Sequence, residues 1–492
     1  MARFVLEDAM TVKTWLGAAM TIGLTACIAP PVEAPKTTVE QQTDVATEQS
    51  LKDQVDLLFM VDDSGSMGTK QTALRTRFPE LIKVLDDFAA AGNKASYHIG
   101  VVTSDLGAPG ISCGANRQAK LQQVGAGAAA GCAGPVGKNY IEYDQKLGTN
   151  NLPTGQDLPT TFGCMANVGE KGCGFEAQLE SAYRALHDPI PENQGFLRPG
   201  AILAVIWVTD EDDCSAEATS DLFTTNPAYG PQNSYRCTRY GIACDNQFPL
   251  PDTPQASFSS CVPATAAQGG KLSEVSKYIN FFTQPKAKGG VKENPRDVVL
   301  AAIMAKPDNF GTGTSTGAQI CGPGVTTCTT LNHSCIAPTD MLFFGDPGVR
   351  MNAVVSKAQN NTIASICDTD YKVALQGIGS KIVAALQPSC LSAPIKDETN
   401  PDCVVEDVTI VGGEEVRKSI PFCATSNGQK PCWTAKQVVN CPKVCNPIKG
   451  TYQQFGVDID RGGQMAPPNT TAQVSCATIA IAGQDPNAAC GG

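Results

Sequence analysis

Residues 59–68 read FMVDDSGSMG, so three apolar positions run directly into Asp62, Asp63, Ser64, Gly65 and Ser66. The spacing Asp-x-Ser-x-Ser turns alternate side chains, Asp62, Ser64 and Ser66, toward one pocket, and Gly65 permits a tight turn. One carboxylate with two hydroxyls is a hard, oxygen-only donor set, suited to Mg²⁺, Mn²⁺ or Ca²⁺ rather than to zinc. A second carboxylate ends another apolar run, in WVTDEDD, where Asp210 follows Thr209. Two carboxylates with neutral ligands leave positive charge on an ion and one position open to an acidic group of a partner. The following Glu211, Asp212 and Asp213 read as a solvated rim, with Asp212 a candidate to support the ion from behind its ligands. The plain alternative is a capped turn in which Ser64 and Ser66 bond helix N–H groups.

Such residues must be held by strands that end where they begin. Val55–Val61, Tyr97–Thr103, Ala201–Thr209, Asp297–Ala305 and Thr362–Cys367 are apolar runs of strand length, the third nearly all apolar as in a strand covered on both faces. Asn139–Asp144 reads as a short edge strand. Between them lie helical patterns: Leu81, Ile82, Leu85 and Phe88 after Pro79 at a first helical position, then Leu179–Leu186, Leu272–Phe282, 349–358 and Tyr371–Ile382. The alternation predicts a doubly wound, mostly parallel α/β fold, and such sheets place ligand sites at the carboxyl ends of their strands. Long Gly-, Pro- and Cys-rich segments interrupt it at about 105–138, 211–269 and 306–345.

The 492 residues carry a formal charge of −11, which excludes a basic, nucleic-acid-binding surface. Twenty-one cysteines indicate an oxidising compartment and a disulfide framework. Parity suggests pairing inside the groups 113–132, 164–173, 214–261 and 321–367, and 390–492 reads as a small cysteine-rich β module. Zinc at Cys441 and Cys445 is set aside for the same redox reason. The three histidines, His98, His187 and His333, form no hydrolase triad, and no enzymatic activity is expected.

Met10–Cys27 combines Lys13, a short apolar stretch and Leu24-Thr25-Ala26-Cys27, which resembles a bacterial lipobox. The resemblance implies a leader over 1–26 and lipidation of Cys27; the acids in residues 1–9 point to Met10 as the true start, and Ile28, not an aspartate, after Cys27 points to the outer membrane, with the cell surface expected. Residues 27–54 then read as a flexible tether, 55–388 as the α/β domain and 389–492 as the β module.

FMVDDSGSM and VIWVTDEDD together resemble the von Willebrand factor A family, whose metal-ion-dependent adhesion site uses a DxSxS turn, a threonine and a strand-end aspartate. The resemblance implies metal roles for Asp62, Ser64, Ser66 and Asp210. It departs in GCGFEAQL, where Cys173 stands at the threonine; in a disulfide, with Cys164 for example, it is no hard-metal ligand. Glu176, Thr160, Thr161 or a water would then fill the place. With the lipid anchor, the architecture resembles cysteine-rich surface adhesins of gliding bacteria. The implied function is adhesion through a divalent cation to a protein or surface polymer bearing an acidic group. The alternative is an envelope scaffold or assembly factor with a structural or degenerate ion site.

Overall fold

The computed structural model describes residues 39–45, 53–90, 93–308, 310–317, 321, 325–386, 389–391, 393–411, 414–437, 443–461, 470–480 and 490. Its centre is a seven-stranded sheet. In chain order the strands are β1 Gln54–Val61, β2 Ser96–Thr103, β3 Ile141–Asp144, β4 Thr149–Asn150, β5 Ile202–Val208, β6 Val298–Met304 and β7 Asn360–Ser365. Across the sheet they run β7-β6-β5-β1-β2-β3-β4. The five strands from β7 to β2 pair in parallel, and β3 and β4 are added antiparallel. The tail expected at the edge, β3, is therefore covered by one more short strand.

Helices α1 Gly68–Ala90, α2 Leu158–Ala166, α3 Gln178–His187, α4 Val275–Thr283, α5 Val349–Val355 and α6 Lys372–Leu386 connect the strands. The period of two along β1 divides its side chains between two cores. Leu57, Phe59 and Val61 pack with Phe78 and Leu81 of α1, Phe162 of α2 and Ile378 of α6. Leu58 and Met60 pack with Leu179 of α3, Tyr278 and Phe282 of α4 and Met351 of α5. The protein is thus a disulfide-rich α/β structure with helices on both faces of its sheet, and several small sheets lie around it. Pro79 is not at the start of a helix but inside α1. It is exposed, so water can meet the carbonyl that its missing N–H leaves unbonded.

The interrupting segments are pinned by short strands and crosslinks. Cys214–Cys237, Cys244–Cys261, Cys321–Cys328 and Cys335–Cys367 stay within the groups read from the sequence. Cys113–Cys173 and Cys132–Cys164 instead cross between two groups. The fold brings the 105–138 segment over α2 and the loop after it, as the bonds Gly125 N to Cys164 O (2.9 Å) and Gly127 N to Asn167 O (2.9 Å) record. Local parity could not foresee that crossing.

A separate core of Leu391, Val405, Trp433, Phe455, Val457 and Val474 serves the C-terminal strands. There Cys403–Val411 pairs with Glu414–Ile420 and with Thr470–Ala480. Val39–Val45, expected within the tether, pairs antiparallel with Thr470–Ala480. A polar segment with Val and Thr at intervals can complete a sheet edge through its backbone alone, which composition does not reveal. Cys27 and the leader lie outside the described residues. Among the described residues no helix is long and apolar enough to cross a membrane.

Candidate functional site

From β1 the chain moves to β2 on one side, and β5 later enters on the other, so the loops after β1 and β5 part and leave a crevice. Asp62 N donates to Val208 O at 3.0 Å, which binds the two strand ends together there. Asp62 and Asp210 are both fully buried. Asp62 accepts from Ser64 N (2.8 Å) and Ser104 Oγ (3.1 Å) on Oδ1, and from Thr209 Oγ1 (2.7 Å) on Oδ2. Ser64 Oγ and Ser66 Oγ lie 3.3 Å apart. Burial first, and then the charge of Asp210, push the Asp62 carboxyl up to about 6. The fold thus brings Asp62 and Asp210 near each other at the strand ends.

Asp63 shares the same Ser104 Oγ, at 3.2 Å, and accepts Gly172 N on its carbonyl at 2.7 Å. A Cβ on Gly172 would collide with the Asp63 carboxylate, so only glycine allows the 172–176 loop to approach this closely. That approach brings in Glu176, which is buried beside Glu211, Asp62 and Asp210. Burial and then those charges hold its carboxyl well above the usual range. Glu211 is raised as strongly, by burial and then by Asp346, while a hydrogen bond from Glu176 works the other way. Glu176 is thus a member of the cluster, as one of the alternatives expected. Thr161 is not: it sits in α2, buried, and none of its described contacts reaches the crevice. Thr160 N caps α2 by donating to Asp157 Oδ1.

The expected solvated rim is also corrected. Asp213 is buried and pairs with Arg350 Nη2 at 3.0 Å. Asp212 accepts from Arg350 N and Met351 N at the start of α5, which explains why it turns inward rather than to water. Burial raises its carboxyl to about 6 despite those bonds. Asp212 anchors a helix and has no described contact with Asp62.

Three cluster members escaped the sequence reading. Lys70, in the first turn of α1, is fully buried, ion-paired with Asp210 Oδ2 and donating to Ser66 O at 3.2 Å. Its ammonium also stands 4.0 Å above the Phe344 ring. His333 stacks on the same ring and bonds Asp346 Oδ1 at 2.6 Å, while Asp346 N donates to Asp210 O at 2.7 Å. Lys70 lies four residues after Ser66, one helical turn, which was the available signal; Asp346 arrives from a distant hairpin with no local signal at all.

Five carboxyls, of Asp62, Asp210, Glu176, Glu211 and Asp346, thus gather around one buried ammonium and one imidazole. Among the described residues, Asp210 Oδ1 and Glu176 Oε1 are buried without any hydrogen-bond partner. Such atoms, in a site built from hard oxygens, are where a cation would be accepted. Cys173 is locked to Cys113 and supplies nothing to such an ion.

No family model and no curated protein matches this chain. Among solved structures it resembles the pilus adhesin SpaC from Lactobacillus rhamnosus GG at 12 % identity and a TM-score of 0.31, covering 90 % of this chain and 41 % of that one. The adhesive tip pilin GBS104 from Group B Streptococcus agalactiae gives 12 % identity and 0.27, covering 89 % and 80 %. The pilus adhesin RrgA from Streptococcus pneumoniae gives 11 % and 0.24, covering 90 % and 57 %. The chain therefore spans less than half the length of SpaC. Likeness at this level fixes neither the ligand nor the role of this chain.

The resemblance to the von Willebrand factor A family, and to the adhesins of gliding bacteria, is corrected on these findings. No family model matches, and among the described residues no group of three or more His, Cys, Asp and Glu is arranged to hold a metal ion. Two features of the site give the physical reason. The threonine position carries a crosslinked cysteine, and the strand-end aspartate is already paired with Lys70.

Proposed function

We propose that this chain is a cell-surface binding protein, an adhesin anchored in the outer membrane through lipidated Cys27. On this reading a divalent cation, held by Asp62, Ser64, Ser66 and Asp210 with Glu176 beside them, presents an open position to an acidic group of a protein or surface polymer. The observation that carries the reading is the uncompensated buried charge of the crevice, with Asp210 Oδ1 unbonded within it. The crosslinked loops after β2, β5 and β6 surround the same end of the sheet, and a rim of that kind suits recognition rather than catalysis. Calorimetric titration of Mg²⁺, Mn²⁺ and Ca²⁺ into the oxidised protein tests it. Binding heat in the wild type that disappears in Asp62→Ala supports the ion, and loss of attachment by cells carrying Asp62→Ala supports the adhesin.

One observation favours a second reading. Lys70 already places a positive charge on Asp210, so the site is partly neutralised from within. If no ion gives heat in the wild type, the crevice is a structural charge cluster. The chain is then better read as an envelope scaffold or assembly factor, shielded from protease on intact cells.

A further inference from the structure

Outside the crevice a groove of about 710 Å³ runs along the exposed side of α1. Thr69, Thr72, Arg75 and Thr76 form one wall, and Asn167, Glu170 and Phe343 form the others. Arg75 is half-buried in it. Its Nε donates to Gln71 O at 3.3 Å and its Nη2 to Thr72 Oγ1 at 3.0 Å. That uses two of the five donors of a guanidinium and leaves the Nη1 edge to the groove. No carboxylate of the described residues pairs with it, although the neighbouring Arg77 pairs with Asp370 at 2.7 Å. Burial alone moves the Arg75 guanidinium, holding it below its ordinary value, with no acid to oppose the shift. In a chain of net charge −11 a partly desolvated guanidinium without an acid is an unmet demand.

We infer that this groove docks an extended acidic peptide segment of a partner protein, with Arg75 receiving a Glu or Asp carboxylate as a two-pronged hydrogen-bonded pair. Planar guanidinium and carboxylate match in that geometry. The hydroxyls of Thr69, Thr72 and Thr76 supply partners for peptide groups. A saccharide is disfavoured because the only ring in the lining, Phe343, is buried and offers no face for stacking. Glu170 lies against Gly68, about 10 Å along α1 from Arg75, and so directs the acidic end of a ligand to Arg75. Gln71 joins this groove to the crevice behind it, donating from Nε2 to Asp62 O (2.9 Å) and Gly169 O (2.8 Å). The two sites are adjacent but chemically independent.

The test is fluorescence anisotropy with the full oxidised chain in EDTA, which removes any divalent ion and so separates this site from the crevice. The probe is a capped, labelled hexapeptide of alternating Glu and Leu, beside its Gln-for-Glu counterpart and trigalacturonate. The Glu peptide should bind, and the Gln peptide should bind roughly tenfold or more weakly, as loss of a charge-assisted pair requires. Arg75→Gln should lose the same factor and Arg75→Lys part of it, with Arg77→Gln changing affinity less than about twofold. Unchanged binding by Arg75→Gln, no binding of the Glu peptide, or preference for trigalacturonate would each overturn the inference. An unchanged melting temperature for Arg75→Lys keeps misfolding from imitating a result.

Discussion

The two ends of the central sheet both bury carboxylates, and they treat them in opposite ways. At the amino end Asp56 is fully buried between β1, β2 and the 198 loop. It accepts from Arg198 N and Arg198 Nε, each at 2.7 Å, with Lys292 Nζ 3.7 Å away. Arg198 spends three of its four remaining donors on Ser96 Oγ, Ser96 O and Val55 O, so one guanidinium ties two strands and a loop together. At the carboxyl end five carboxyls share Lys70 and His333, and two of their oxygens have no partner. A buried charge with complete partners holds a fold together, whereas an incomplete set is tolerated only where something else can complete it. The amino end is built for cohesion. The carboxyl end carries a standing demand for a proton or a cation, which is the physical basis for placing function there.

The largest effect that could break this contrast is at the amino end. Arg198→Met removes the guanidinium and leaves Asp56 the backbone N–H of residue 198 and a distant ammonium, and is expected to cost about 3–5 kcal/mol in chemical denaturation. A loss under about 1 kcal/mol would mean that Asp56 is not compensated as described. Lys70→Met should cost less, about 2 kcal/mol, because the neighbouring carboxyls can take up a proton in place of the lost ammonium. Mn²⁺ should recover part of that loss if the crevice accepts an ion, and an unfolding titration with and without Mn²⁺ reads this directly.

The two ends should also respond oppositely to pH. Burial, followed by the charges of Asp62 and Asp105, raises Asp63 from 3.8 to about 7. The folded state then holds a proton that the unfolded chain releases, so stability falls as pH rises between about 4 and 7, by up to about 1.4 kcal/mol per pH unit. Asp63→Asn should remove that slope. His98, whose Nδ1 meets Phe196 O at 2.9 Å, is instead lowered, first by burial and then by Arg198. The unfolded chain takes up its proton first, so this group withdraws stability as pH falls below about 6.5. Unfolding free energies of wild type, Asp63→Asn and His98→Gln across this range would separate the two contributions. The smallest effect is at the edge of the crevice, where Asp212→Ala removes the acceptor for Arg350 N and Met351 N and should cost about 1 kcal/mol by thermal melting.

Much of the site was legible because its first half is local. A buried strand that ends in Asp62, Ser64 and Ser66, and another that ends in Asp210, are written as apolar runs meeting small polar residues. The parallel order of a fold with helices on both faces then brings those ends together. Glu176 could be named from its place two residues beyond the glycine–cysteine turn, though its role could not. Glu211 and Asp212 were misread because a run of acids normally faces water, and nothing in the string announces the hairpin strand Asp340–Gly345 or the Arg350 helix end that covers them.

The chain by itself determined the alternation of strands and helices, the aspartate–serine turn at a strand end, and the oxidising framework of many cysteines. These follow from side-chain periodicity, backbone preference and composition, all of which act over a few residues. Tertiary structure alone decided that Lys70 would neutralise Asp210, that Asp346 and His333 would join them, and that Cys113 would reach Cys173 rather than a nearer cysteine. It also decided that Val39–Val45 would complete a sheet more than four hundred residues away in sequence. Those contacts depend on which distant surfaces meet once the strands are ordered, and the free energy of each is set by burial that no local segment possesses.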